Sequence, residues 1–212
     1  MRPRCRAKRS ACGANRGCAF EFVRFWRPER RPRFPPHHRV GVRDAIRASS
    51  ARVPRCSHPC RNPRTAATSR VRSRFGNRPI NKRDSVLEGL AILDAGGNLG
   101  LLADVNTLQR DGVFVPFFGH LACTTRSVAM LALRTNALII PICCVWDTNR
   151  YRILIGELVE AVRTASCAKK NIIDTTALYT AEIEKFIRAY PGQWIWIHRR
   201  WKTRPSGQPS LY

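Results

Sequence analysis

Three stretches in the second half of this 212-residue chain contain residue types that could do chemistry. The first ends on Asp104, a carboxylate that closes the apolar run NLGLLAD (98–104). If this run is a buried strand, Asp104 lies at the strand end, where α/β sheets place their functional groups. An aspartate in this position is more often a cap or turn residue, so its spacing alone favours the structural role.

The second stretch, FVPFFG (114–119), places three phenylalanines around Pro116. This is more aromatic surface than a turn requires, so Phe117, Phe118 and Gly119 could line a hydrophobic slot for a ligand. The commoner alternative is a loop that fills its own core.

The third stretch, QWIWIHRRWKTRP (193–205), combines three tryptophans with a histidine and four basic residues. Arginines such as Arg199 and Arg200, next to His198, can bind phosphate groups through charge-assisted hydrogen bonds. The same residue types also suit a nucleic-acid platform, a membrane interface or a solvated basic terminus. Composition leaves these alternatives open.

Two other patterns resemble binding motifs but lack the spacing that those motifs require. GGNLG (96–100) lacks the glycine spacing of a phosphate-binding loop and precedes a strand rather than a helix. Cys56 and Cys60 bracket His58, but no second ligand pair follows at zinc-site spacing, so we predict no metal site. Nine cysteines without a secretory signal favour reduced thiols facing the cytoplasm.

Charge divides the chain into two unlike halves. Residues 1–84 contain 24 Lys and Arg against four acids, and 9 of the 14 prolines, whereas the remainder is only weakly basic. No sustained helical or strand period runs through residues 1–70, which predicts that most of this segment is disordered or poorly ordered. Such an arm could bind nucleic acid through its phosphates. Its Arg, Pro, Cys and Ala content also fits a coding region translated out of frame, and we favour that explanation.

Membrane and export signals are not evident. No run reaches the roughly 18 apolar residues of a membrane span, since the longest is ALIIPICCVW (137–146). No apolar segment follows the basic N-terminus, as it would in a signal peptide.

Regular elements are predicted from Asp84 onward. Asp84 can cap a helix that Gly96 and Gly97 end, and residues 98–104 then form a strand. We expect DGVFVPFFG (111–119) to be a turn followed by an apolar loop. The inner face of the helix is predicted to contain Val86, Leu87, Leu90 and Leu93.

Further elements follow in alternation. Thr124 or Thr125 can cap a helix that ends near Asn136, and residues 137–146 and 150–162 are predicted as neighbouring strands.

A last helix is predicted to begin with Asp174 as its cap, with Glu184 and Arg188 paired on its outer side. Because strands alternate with helices, the fold class is predicted to be an α/β layer sandwich. The inner face of this helix is predicted to contain Tyr179, Ile183, Phe186, Ile187 and Tyr190.

Two long runs together resemble a known family. They are LLADVNTLQRDGVFVPFFGHLACTTRSVAMLALRTNALIIPI (101–142) and IEKFIRAYPGQWIWIHRRWKTRP (183–205). With RSRFGNRPINK (72–82) before them, they strongly resemble the bacterial lipid A biosynthesis (lauroyl/myristoyl) acyltransferases. The resemblance covers roughly residues 70–212, the C-terminal portion of the family pattern.

The resemblance implies a fold, an activity and partners. The expected fold is the glycerolipid acyltransferase type of α/β sandwich over 71–212, incomplete at its N-terminus. The expected reaction moves an acyl chain from acyl carrier protein to a hydroxyl of an anionic glycolipid acceptor, without metal or redox cofactor. The expected place is the cytoplasmic face of the bacterial inner membrane, at the membrane surface.

The family's catalytic base is a histidine in an H-x4-D/E motif, whose carboxylate orients the imidazole. This motif should precede RFGN, but neither His37, His38 nor His58 has an acid at that offset. His120 and His198 lie too late in the chain and also lack the pattern. The catalytic residues are therefore unknown, and we expect the chain to be catalytically incomplete.

The remaining site residues are carried over from matching motifs. Arg72 and Arg74 precede Gly76-Asn77 in a basic stretch that resembles part of the family's anionic substrate site. The resemblance also implies substrate-binding or structural roles for Asp104, Phe117, Phe118, Gly119, Thr124, His198, Arg199 and Arg200.

Two functions of different classes remain after this reasoning. The first is the lipid acyltransferase, with no nucleic acid expected as a partner. The alternative is a basic nucleic-acid-binding protein that uses the N-terminal arm and the Trp/Arg-rich end.

Overall fold

The computed structural model describes residues 20–26, 73, 77–80, 85–164 and 167–212. They form a mixed α/β fold with two antiparallel sheets, which confirms the predicted class; the layer-sandwich type stays a prediction. The strands are β1 Phe20–Trp26, β2 Leu99–Leu101, β3 Gly112–Phe117, β4 His120–Thr125, β5 Leu138–Asp147 and β6 Arg150–Ile155. The helices are α1 Ser85–Asp94, α2 Ser127–Thr135 and α3 Ala168–Ala189.

The larger sheet has the strand order β2-β1-β5-β6, and every neighbouring pair is antiparallel. Strand β1 belongs to the basic half of the chain and pairs along its length with β5, from Phe20 opposite Cys144 to Trp26 opposite Leu138. The predicted neighbours β5 and β6 are confirmed as a hairpin, which turns at Thr148.

Two predicted strands are shorter than expected. Strand β2 ends at Leu101, so that Asp104 lies three residues beyond it in a bend. Strand β6 ends at Ile155, and only Val159 returns to the sheet, in a bridge to Ile139. The chain leaves the sheet at Gly156, which packs against Phe186 of α3.

The smaller sheet corrects the prediction of a loop at 111–119. Residues Gly112–Phe117 form β3, which pairs in full register with β4. Pro116 suggested a break, but it lies exposed in a two-stranded sheet, where a residue without an N–H is tolerated at an edge. Phe114 and Phe117 are therefore strand residues, and Phe118 lies in the turn that follows.

Helix α1 ends as predicted, because Gly96 is left-handed (φ 75°) and the Gly97 N–H donates to the Ile92 carbonyl at 2.8 Å. Its predicted inner face is wrong at Leu87, which is 74% exposed. The buried face instead contains Gly89 and Leu93, and Gly89 has no side chain to hold the helix away from its neighbours. The predicted cap Asp84 lies outside the described residues.

Helix α2 has Arg126 at its N-cap, so neither predicted threonine takes that position. Thr124 lies within β4 because the strand continues to Thr125. Thr125 lies one residue before the N-cap, and its hydroxyl accepts the Ser127 N–H at 3.3 Å. The predicted end is confirmed, since Asn136 is left-handed (φ 57°).

Helix α3 begins six residues before the predicted cap, so the assignment of Asp174 as the cap is wrong. Its first turn is polar and shows no apolar period, and Asp174 pairs with Lys170 one turn earlier at 2.5 Å. The pair between Glu184 and Arg188 is confirmed at 2.5 Å. The inner face is buried at Tyr179, Ile183 and Ile187, while Phe186 and Tyr190 are half-buried.

After a 3-10 turn at Pro191–Gln193, residues 194–212 form turns rather than a helix or strand. Side chains attach this C-terminal segment to the sheets. The Gln193 amide donates to the Trp146 carbonyl at 2.9 Å and accepts the Trp146 N–H at 2.7 Å. Trp194 enters the main core beside Phe117, Ile139 and Tyr179.

Candidate functional site

The β3–β4 hairpin closes with a two-residue turn at Phe118 and Gly119. Both residues are left-handed (φ 50° and 77°), as a type I′ turn requires. A phenylalanine in this conformation costs about 1 kcal/mol, so surrounding contacts must hold it. The Phe118 N–H donates to the Glu184 carboxylate at 2.7 Å, and the Arg188 guanidinium lies 4.6 Å from the ring centroid.

Five rings surround this turn and form what we call the aromatic cluster: Phe117, Phe118, Trp194, Trp196 and Trp201. Phe117 is its buried centre, with ring centroids of Phe118, Trp194 and Trp201 between 4.9 and 5.8 Å away. Most of these pairs are edge-to-face, the arrangement that aromatic quadrupoles favour.

Arg200 lies beneath this cluster and is fully buried. Its guanidinium donates to the Cys123 carbonyl at 2.9 Å and to the Thr124 hydroxyl at 2.5 Å, and lies 4.9 Å from the Phe117 ring centroid. The Thr124 hydroxyl in turn donates to the Ala122 carbonyl at 3.3 Å. Burial lowers the pKa of Arg200, because the charged form loses its water.

Asp104 fixes the position of one cluster tryptophan. Its carboxylate accepts the indole N–H of Trp194 at 3.1 Å, so a residue three positions after β2 orients a side chain of the C-terminal segment. This contact gives Asp104 a positioning function within the protein, and the substrate-binding role that the resemblance implies stays a prediction.

His198 is also held as an acceptor. Its Nε2 accepts the backbone N–H of Asn106 at 2.7 Å, so the neutral ring carries its proton on Nδ1. Burial is the main cause that lowers the pKa of His198; the Asp104 carboxylate opposes this shift and the Arg200 charge adds to it. Because the Nε2 lone pair is occupied, His198 acts as an anchor in this arrangement.

The structure brings most of the carried-over residues together. Asp104, Phe117, Phe118, Thr124, His198 and Arg200 lie at or next to the aromatic cluster. Gly119 is exposed at the hairpin tip, and the exposed Arg199 points to Tyr212, with 5.9 Å between guanidinium and ring centroid. Arg72 and Arg74 lie outside the described residues.

Sequence reasoning missed part of this arrangement. Glu184 and Arg188 were expected on the outer side of α3, yet they hold the turn at Phe118. Asn106 and Thr203 were not singled out, although reciprocal hydrogen bonds of 3.1 and 3.2 Å between them join the chain after β2 to the C-terminal segment. The one sign of these contacts in the sequence was the i,i+4 spacing of Glu184 and Arg188.

A separate concave surface lies between the start of β3 and the start of α3. This cleft of about 650 Å³ is within the size range of ligand sites. Its half-buried apolar residues are Val113, Phe114, Ile172 and Ile173, and three exposed cations border them: Arg110, Arg126 and Lys169. These residues are too far apart in sequence to form a motif, which explains why the sequence gave no sign of the cleft.

Comparison with protein families decides the identity. The model of the bacterial lipid A biosynthesis acyltransferases matches residues 59–203, more than half of the chain. The chain belongs to this family. The match covers both the cleft and the aromatic cluster, and the resemblance carried by residues 101–142 and 183–205 is thereby confirmed.

Individual relatives agree with this acyltransferase assignment. The lipid A biosynthesis lauroyltransferase of Escherichia coli K12 is 35% identical over 106 residues, which are 49% of this chain and 33% of the relative. The palmitoleoyltransferase of the same organism is 30% identical over 139 residues, 64% and 44% of the two chains. A lipid A biosynthesis acyltransferase of Haemophilus influenzae is 25% identical over 142 residues, 67% and 43%.

The chain therefore spans between a third and a half of the length of these relatives. The family is associated with the inner membrane. Within the described part of the chain, no helix is both long and apolar enough to cross a membrane. The nucleic-acid alternative gains no support from any of these relatives.

Proposed function

We propose that this chain is the C-terminal, substrate-binding part of an enzyme that transfers a fatty acyl chain from acyl carrier protein to a lipid A-type glycolipid. In this reaction the acceptor hydroxyl oxygen attacks the thioester carbonyl carbon, a base removes the hydroxyl proton, and the carrier thiol leaves. The observation that carries the proposal is the family match, because it spans both sites described above.

The cleft supports the substrate class. Its apolar residues suit hydrocarbon, and Arg110, Arg126 and Lys169 suit phosphate groups at the edge of that hydrocarbon. A lipid A-type precursor combines both chemistries in one molecule. We therefore assign the anionic glycolipid to the cleft.

The aromatic cluster supports a positioning function. The Arg200 guanidinium donates to β4 through two of its nitrogens, while its buried Nε has no hydrogen-bond partner in the described part of the chain. The Nε2 of His198 is bonded to a backbone N–H, so both residues anchor the C-terminal segment. The cluster joins the hairpin, α3 and the C-terminal segment into one unit. This unit holds β3, and with it one wall of the cleft, in place.

We propose that this chain contains no general base for the reaction. Within the described part, the histidines are His120, exposed on β4, and His198, whose Nε2 is already bonded. We therefore propose that the chain binds the glycolipid but does not turn it over. This matches the absence of an H-x4-D/E motif in its sequence.

A binding and turnover experiment tests both statements. The full chain is mixed with a lipid A precursor in detergent micelles, and affinity is measured by titration calorimetry. Arg126→Gln with Lys169→Gln should lower the affinity about tenfold, because two charge-assisted contacts are lost. Arg134→Gln with Arg150→Gln removes two exposed charges elsewhere and should leave affinity unchanged.

Two results would contradict the proposal. An equal loss in both double variants would show that only net charge matters. Acyl transfer above the uncatalysed background, measured with acyl carrier protein as donor, would show that the chain possesses a base after all.

A further inference from the structure

An exposed apolar tip stands on the C-terminal segment. Ile195, Trp196 and Ile197 are 46%, 47% and 92% exposed, and they lie consecutively in a turn in which the His198 N–H donates to the Ile195 carbonyl at 3.1 Å. Three adjacent large apolar residues in water are costly, since each loses the free energy that burial would provide. We call these three residues the apolar tip.

The tip is fixed in shape by residues on both sides. Trp194 before it is 5% exposed and bonded to Asp104, and His198 after it is bonded to Asn106. Because both flanking residues are held by hydrogen bonds, the three tip residues are kept at the surface rather than in the core.

The tip can enter an apolar phase without stranding a donor. The indole N–H of Trp196 already donates to the Pro191 carbonyl at 2.7 Å. A ring that enters hydrocarbon with an unbonded N–H would lose a hydrogen bond to water, whereas this one keeps its partner.

Cations flank the tip. Arg199 and Lys202 are exposed and share a turn, in which the Lys202 N–H donates to the Arg199 carbonyl at 3.1 Å. Arg188 lies against Phe118, whose ring centroid is 5.9 Å from that of Trp196. Two described acids lie near the tip: Glu184 is paired with Arg188, and Asp104 accepts the indole N–H of Trp194.

From this combination we infer that the apolar tip inserts into the surface of an anionic phospholipid bilayer, with Arg199 and Lys202 on the lipid headgroups. Aromatic and aliphatic residues beside cations are the composition that interfacial membrane binding requires. Each cation near an anionic surface adds attraction. The inference extends the proposed function, whose acceptor is itself a lipid.

Brominated lipids test the insertion directly. The full chain is mixed with vesicles of phosphatidylethanolamine and phosphatidylglycerol that carry bromine on the acyl chains, which quench only tryptophans in the hydrocarbon. Quenching is expected in the parent protein and should largely disappear in Trp196→Phe. Equal quenching in both proteins would overturn the inference.

The binding of two double variants to these vesicles can be compared with that of the parent protein. Ile195→Ser with Ile197→Ser should weaken binding to these vesicles about tenfold at physiological salt, because apolar contact is lost. Tyr151→Ser with Ile153→Ser removes two residues of similar exposure (65% and 66%) from β6 and should leave binding unchanged. All four positions are exposed, so the variants should retain the parent's melting temperature.

Other binding partners of the tip, or another membrane-binding region, would give different results in these experiments. If the tip binds a second copy of the chain, the parent will sediment as a dimer and Ile197→Ser as a monomer, without bromine quenching. If the basic N-terminal half alone binds the vesicles, high salt will release the protein and both double variants will behave alike. Either result overturns insertion. Glycolipid affinity in micelles should be unchanged in Ile195→Ser/Ile197→Ser, which separates this inference from the proposed function.

Discussion

The aromatic cluster and the cleft use the same residue types in opposite ways. In the cluster, Phe117 and Arg200 are fully buried, and the arginine is bonded to Cys123 and Thr124. In the cleft, Phe114 is half-buried and Arg126 is exposed. Residue type and motif therefore do not separate a scaffold from a binding surface, whereas burial and hydrogen-bond partners do.

The largest expected effect contrasts the two phenylalanines of β3. Phe117→Ala should lower the free energy of unfolding by about 4 kcal/mol, because it opens a cavity in the packed centre of the cluster. Phe114→Ala should cost about 1 kcal/mol, since that ring is only partly removed from water. Chemical denaturation of both variants checks this, and similar losses would remove the distinction between the two regions.

A second contrast uses neighbouring arginines. Arg200→Ala should lower the free energy of unfolding by about 3 kcal/mol, since it leaves a cavity and removes one donor from each of two buried oxygens. Arg199→Ala, one residue away and exposed, should change it by less than about 0.5 kcal/mol. Thermal melts at two salt concentrations are sufficient, and a stable Arg200→Ala protein would refute the scaffold function of the cluster.

The smallest expected effect concerns pH. Because burial holds the pKa of His198 below the ordinary 6.5, the unfolded chain binds a proton there more readily than the folded one. The stability from neutral His198 is present above pH 6.5 and declines as the pH falls below it. His198→Gln should reduce this acid-dependent decline, which denaturation between pH 7 and 5 would measure. An identical pH profile in the variant would show that His198 does not contribute.

Local patterns predicted the parts of the fold that depend on near neighbours. The ends of α1 and α2, at Gly96 and Asn136, follow from residues that tolerate left-handed backbone. The start of α3 was missed, because its first turn contains no apolar period and no capping side chain. Pro116 misled the assignment of β3, because the effect of proline depends on whether the strand lies at an edge.

In the candidate site, too, local patterns identified some residues but not their contacts. The motifs identified Phe117, Thr124 and Arg200, but the roles of these residues follow from contacts across more than 70 positions of sequence. Spacing could not show that Arg200 is buried while Arg199 is exposed. The cleft was not predicted, since its apolar residues and cations come together only when β3 packs against α3.

Helix α3 relates the cleft to the apolar tip. Ile172 lines the cleft near one end of the helix, and Arg188 lies beside the tip near the other. The two residues are sixteen positions apart, which at 1.5 Å per residue spans about 24 Å, most of the thickness of a bilayer's hydrocarbon core. If the helix stood upright on the membrane, the cleft would be held far above the lipid it is proposed to bind. For both to reach the same leaflet, α3 must lie almost flat along its surface, so the tilt of this one helix determines whether a lipid can enter the cleft without leaving the membrane.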